Sequence, residues 1–183
     1  MSNSIEKLVG VLLCILLLFI YPLMDFFQRQ DDISSMYVFK SVTAFVDAAR
    51  DKGFVTPQMY VDFTRELEQT GNMFHVQMEH YQKKYDPLYE DPNHASSFKN
   101  DFLVHHELVN TEGILLVMFP DSKEPMDALS RRYEMKAGDY FNVIVNNANR
   151  TKATVLHEFL TQSLSSNEKI VIPVGGMVRN EDY

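Results

Sequence analysis

The sequence predicts an α+β protein: an N-terminal transmembrane helix and amphipathic helices, followed by a mostly antiparallel sheet with interspersed helices. Three observations predict it. Residues 8–24, LVGVLLCILLLFIYPLM, carry no charge and almost nothing polar, as a helix crossing a hydrocarbon core of about 30 Å requires. Beyond them, apolar residues recur every three or four positions, which is the helical period. From residue 72 onward, segments with the two-residue period of half-buried strands alternate with shorter helical ones. The expected organisation is a transmembrane anchor at 1–27 and an extracytoplasmic α+β domain at 28–183.

The anchor is read as uncleaved. The head MSNSIEK balances Lys7 against Glu6, and YPLMDFFQRQ after the run offers no small-residue exit for a signal peptidase. Leu13 before Cys14 is not a lipoprotein site. Pro22 is expected to kink or end the helix. Residues 28–32 form a polar junction. Asp32 should cap a second helix with Ile33, Met36, Phe39, Val42, Phe45, Val46 and Ala49 along one stripe, and Gly53 should stop it. The stripe is expected to pack on the domain's own core, with a partner helix as the alternative. If the two helices are continuous, they make a stalk of about 60 Å.

Thr56-Pro57 is a strong helix start, with Met59, Tyr60, Phe63 and Leu67 facing inward and Gly71 closing the element. Phe74, Val76 and Met78 then alternate with His75, Gln77 and Glu79, predicting a strand. The stretch KKYDPLYEDPNHASS reads as a loop from its prolines and serines. Residues 102–108 are ambiguous. Asn110 should cap a short helix burying Ile114, Leu115 and Met118, although a buried strand at 114–119 is the alternative. A turn at 136–139 leads to a strand at 140–146 with Phe141, Val143 and Val145 inward. A third helix from about Thr151 to Leu164 should bury Val155, Leu156, Phe159, Leu160 and Leu164. Residues 165–167 break it, a last strand covers 169–174, and Gly175-Gly176 turns the chain into a ragged tail or final strand.

Composition narrows function. With 17 Lys and Arg against 25 Asp and Glu, the net charge is −8, which disfavours nucleic acid as a partner. The single cysteine, Cys14, lies in the apolar run, so residues 28–183 can form neither a disulfide nor a thiolate metal site. His105-His106-Glu107-Leu108-Val109-Asn110 approaches the zinc pattern His-Glu-x-x-His, but Asn110 stands where the second histidine belongs. A further ligand would have to come from His80, His94 or His157, which nothing in the spacing requires. Exposed or edge histidines are the preferred reading. His75, Glu79 and Tyr81, beside Lys83 and Lys84, share a strand face, read as a solvated face or as a polar patch for a partner. No glycine-rich phosphate loop, calcium loop or nucleophile elbow is present. No catalytic, cofactor-binding or metal residue is assigned, no cofactor is expected, and no small-molecule substrate is evident.

Several strings resemble the small tight-adherence (Tad-type) pseudopilins or minor pilins of bacteria: FVDAARDKGFVTPQMY at 45–60, LEQTGNMFHVQMEH at 67–80, MKAGDYFNVIVNNAN at 135–149 and GGMVRNEDY at 175–183. The order of apolar helix, polar junction, amphipathic helix and sheet is also that of type IV pilin-like subunits. The resemblance implies a non-enzymatic single-pass subunit of a pilus or secretion-type assembly. Its partners would be the bilayer and other pilin-like subunits or assembly proteins, with the helix in the membrane or filament and the β-rich part outside. The fifth residue after Gly10 is Ile15 where prepilins carry Glu, so the expectation is an accessory subunit and not a major pilin. The alternative is a membrane-anchored extracytoplasmic sensor or ligand-binding domain. A metal-dependent hydrolase using His106 and Glu107 ranks third.

Overall fold

The computed structural model describes residues 2–91, 93–162 and 170–180. One helix, α1, runs unbroken from Ser2 to Lys52. At 1.5 Å per residue it is about 76 Å long. Its N-terminal part is long and apolar enough to cross a membrane, and no residue of that window is fully buried against the rest of the chain. Pro22 lies inside the helix and does not end it. Asp32 is likewise an exposed interior residue and not a cap. The polar junction contains good helix formers and neither glycine nor proline, so nothing interrupts propagation between the two predicted helices.

Gly53 terminates α1 in the left-handed conformation, φ 71°, with its N–H donating to the Ala49 carbonyl at 2.9 Å. After the short strand β1 (Phe54–Val55), helix α2 (Pro57–Glu68) starts as predicted. The Thr56 hydroxyl accepts from the Met59 N–H at 3.2 Å, and Phe63 and Leu67 are buried.

β2 (Phe74–Tyr89) is longer than its sequence signal, and β3 (Phe98–Val109) returns antiparallel to it. Most of the predicted loop is therefore a hairpin. Pro87 is tolerated because it pairs with Phe102 where β2 has no neighbour on its other side: pairing with the fifth strand ends at Tyr81. The ambiguous 102–108 segment is strand, and α3 (Thr111–Met118) is the helix that Asn110 caps, burying Ile114 and Met118.

β4 (Tyr133–Glu134) pairs with β1, and β5 (Tyr140–Asn147) buries Phe141, Val143 and Val145 as expected. α4 (Lys152–Thr161) follows, capped by Thr151. It corrects the sequence reading: Ala153 and Thr154 are buried, while Val155, Phe159 and Leu160 are exposed. The packed side is the one with small residues, which permit close approach. The remainder of the predicted helix, with Leu164 and the break at 165–167, lies outside the described residues.

β6 (Val171–Met177) completes an antiparallel sheet ordered β3-β2-β5-β6 and runs through Gly175 and Gly176, which are not a turn. The glycines answer to packing. A Cβ on Gly175 would lie 2.9 Å from the Asn142 Cα, and one on Gly176 would lie 2.7 Å from the Arg50 guanidinium carbon. Arg50 crosses that space to donate to the Met177 carbonyl at 2.9 Å, and its own carbonyl accepts from the Arg179 and Asn180 N–H groups.

α1 packs across β6 and β5, with α2 and α4 beside it. The core lies between Val38, Val42, Phe45, Val46 and Ala49 of α1 and the sheet face carrying Val76, Met78, Phe141, Val143, Val145 and Ile172. This arrangement orders the molecule along α1. The end with Asn147 and Thr151 sits beside Asp31, nearest the apolar run, and the end with Tyr140 and Met177 sits beside Arg50.

Candidate functional site

Three features could carry function. The first is the exposed stripe on α1. Of the predicted stripe, Val42, Phe45, Val46 and Ala49 are buried as expected, but Ile33, Met36 and Phe39 are 63%, 64% and 56% exposed. The face turned inward above Asp31 is instead Ser34, Val38 and Ser41. Small polar residues face the domain here, and the large apolar ones face away from it. On the adjoining side, Phe26, Arg29, Ile33, Tyr37 and Gln69 line an open groove of about 610 Å³. The Tyr37 hydroxyl donates to Gln69 Oε1 at 3.1 Å across it, tying α1 to the end of α2.

The second is the β2–β3 arm. Beyond Tyr81, β2 pairs with β3 alone, so the eight residues to Tyr89 project about 26 Å past the rest of the sheet. Cross-strand partners share a face. One face carries Tyr85 opposite Val104, Pro87 opposite Phe102 and Tyr89 opposite Phe98. The Phe98 ring lies 5.7 Å from Tyr89 and 5.4 Å from Phe102. The other face mixes ion pairs, Lys84 on Glu107 at 3.6 Å and His105 on Asp86 at 3.2 Å, with Leu103 opposite Asp86.

This register places the histidine motif on a strand. His105, His106 and Glu107 lie on a strand, where neighbours alternate between faces, so the one-face spacing of a zinc helix does not arise. Of the predicted polar patch, Glu79 accepts from Tyr81 at 3.1 Å and from Gln77 at 3.0 Å. Lys83 lies over the Tyr85 ring, and Lys84 belongs to the opposite face. His94 and His157 are exposed on separate elements.

The third feature is a buried polar cluster that corrects the reading of His80 as an exposed or edge histidine. His80 is 1% exposed. Its Nδ1 lies 2.7 Å from the Tyr133 hydroxyl, and its Nε2 lies 3.0 Å from Asp139 Oδ2. A neutral ring donating from Nε2 and accepting at Nδ1 satisfies both contacts. Asp139 also accepts from the backbone N–H groups of Lys83 and Lys136, each at 2.8 Å. Burial holds the His80 pKa below its ordinary value, although Asp139 opposes the shift. For Asp139, burial acts to raise the pKa, but the two backbone donors and His80 outweigh it, and the net direction is down. Burial pushes Tyr133 up to about 12.

The cluster fastens the 136–139 turn and β4 to the middle of β2. The signal was present in the sequence. His80 has the parity of Phe74, Val76 and Met78, the inward positions of β2.

A pH dependence of stability follows. The unfolded chain protonates its histidine near pH 6.5, while folded His80 resists until lower pH, so stability falls as pH drops below about 6.5. The Asp139 contribution is complete above about pH 3.9 and is lost as pH falls from there through the folded value. At the alkaline end, Tyr133 costs stability between about pH 10 and 12. Melting of the detergent-solubilised chain, followed by circular dichroism, should show the acid loss beginning near pH 6.5. His80→Gln should shrink that first step, and an unchanged step would contradict the assignment.

No protein-family model, curated protein or solved structure matches the chain.

Proposed function

We propose that this chain is a non-enzymatic, single-pass membrane-anchored subunit of a pilin-like assembly of the tight-adherence kind, with its α+β domain outside the cytoplasm. The observation that carries the reading is the division of α1. A single 51-residue helix leaves its apolar N-terminal part largely bare and docks its C-terminal part on an antiparallel sheet. That form lets subunits associate through their helices in the membrane while their domains face outward. Ile33, Met36 and Phe39, exposed just beyond the apolar run, extend the helix surface open to a neighbouring subunit. The projecting arm, at the end far from the anchor, adds an aromatic face for a second partner.

The reading has a direct test, because the only cysteine is Cys14, exposed on α1. Mild copper-phenanthroline oxidation of native membranes should convert the full-length chain into a disulfide-linked dimer or a mixed disulfide with a partner subunit. Cys14→Ser should abolish the product. A chain that stays monomeric counts against helix-mediated assembly. The groove lined by Phe26, Ile33 and Tyr37 supports the second reading, a membrane-anchored ligand-binding domain. Under that reading, Tyr37→Ala would remove ligand binding and leave crosslinking through Cys14 unchanged.

A further inference from the structure

We infer that α4 is a lipid-contacting helix, laid against α1 at the membrane surface with Val155 and Phe159 turned into the bilayer. The inference rests on the anchor reading of α1. Its first support is position. The Thr151 hydroxyl, which caps α4, donates to Asp31 at 2.7 Å. Asp31 lies seven residues beyond Met24, so α4 begins about 10 Å above the end of the apolar run.

The second support is a face of α1 that continues below Asp31. Ile20, Met24 and Phe27 follow the same three- and four-residue spacing and are half-buried, while nearly every other large apolar residue of the run is exposed. From Asp31 to Ile20 is about 17 Å, and the ten residues of α4 span about 15 Å. A helix running down α1 from Asp31 would match this half-buried stretch in length, and α4 packs against α1.

The third support is chemical. With its small side, Ala153 and Thr154, inward, α4 presents Lys152, Val155 and Phe159 at three- and four-residue spacing on the outside, and Phe159 is 78% exposed. On a helix entering the membrane surface beside the anchor, Lys152 would hold its ammonium at headgroup level while Val155 and Phe159 sit progressively deeper. In water the same order would leave a large aromatic bare. Continuity with the apolar surface of the anchor selects lipid as the occupant over a second copy of the chain.

The chain contains no tryptophan, so single substitutions report position cleanly. Full-length Phe159→Trp, Val155→Trp, Phe19→Trp and Leu129→Trp would each be reconstituted into phosphatidylcholine vesicles with acyl chains brominated near the headgroup end. Phe19 reports the anchor. Leu129 is exposed and precedes β4, whose partner β1 begins just beyond the far end of α1, so it reports bulk solvent. Emission from Phe159→Trp and Val155→Trp should be lost to a degree approaching that of Phe19→Trp, with Leu129→Trp unchanged. If Phe19→Trp is quenched while both α4 variants match Leu129→Trp, the inference is overturned and the anchor stands. If Phe19→Trp is not quenched, the anchor reading fails and the inference falls with it. Contact of α4 with a second copy instead of lipid would appear as unquenched α4 variants and would also overturn it.

Discussion

Replacing Leu16 and Leu17 together by aspartate should move the chain from the membrane pellet to the soluble fraction. Both residues are exposed at the middle of the apolar run, so no protein contact shelters a charge placed there. Each Asp near a helix centre costs about 3 kcal/mol of insertion free energy, and each lost Leu forfeits about 0.5 kcal/mol more. The pair therefore costs about 7 kcal/mol. The dozen or so large apolar residues of the run supply about 4–7 kcal/mol at 0.3–0.6 kcal/mol each, so the substitution cancels the drive for insertion. Neither residue touches the core, so the released domain should retain its helical and sheet signals by circular dichroism. Carbonate extraction followed by sedimentation is the measurement. A double variant that stays in the pellet after extraction would sink the anchor reading.

The contrast between this run and the rest of the chain shows what a sequence makes legible. Residues 8–24 need no partner to be recognised as long and apolar enough to cross a membrane, because length and apolarity are local properties. The α2 start at Thr56-Pro57 and the β5 alternation at Phe141, Val143 and Val145 are equally plain, since capping and period are local properties. The structure departs from the sequence pattern where a distant residue decides the outcome. Gly175-Gly176 reads as a turn until Arg50, far away in sequence, is seen to occupy the space above Gly176. The proline-containing stretch after Tyr81 reads as a loop until β3 pairs with it on one side only. The α4 apolar positions read as core because periodicity gives a face and not its direction. Here the small face, Ala153 and Thr154, is the one turned inward. Histidine and carboxylate positions were the least legible of all: the cluster of His80, Tyr133 and Asp139 joins residues up to 59 positions apart.

The docking of α1 on its domain rests on a few large side chains, and Phe45→Ala should test it most severely. Phe45 is 6% exposed, stacks on Phe63 of α2 with centroids 4.4 Å apart, and meets the Phe141 ring edge-on at 6.4 Å. It therefore joins three elements: the long helix, α2 and the central strand β5. Truncating a buried phenylalanine costs about 3–5 kcal/mol from lost transfer energy and the cavity left behind. The two ring contacts lie within that range and are not an addition to it. Domains of this size are stable by about 5–15 kcal/mol, so the loss is a large share of the whole. The expected result is a melting midpoint lowered by roughly 6–20 °C, at 2–4 °C per kcal/mol for a domain of this length. Membrane association should be unchanged, because the apolar run lies outside the core that Phe45 joins. Phe45→Leu keeps most of the volume and should cost less than half as much. If Phe45→Ala melts like the unmodified chain, the stacking on Phe63 does not hold α1 to the sheet. The division of the helix into a bare half and a docked half would then lose its energetic basis.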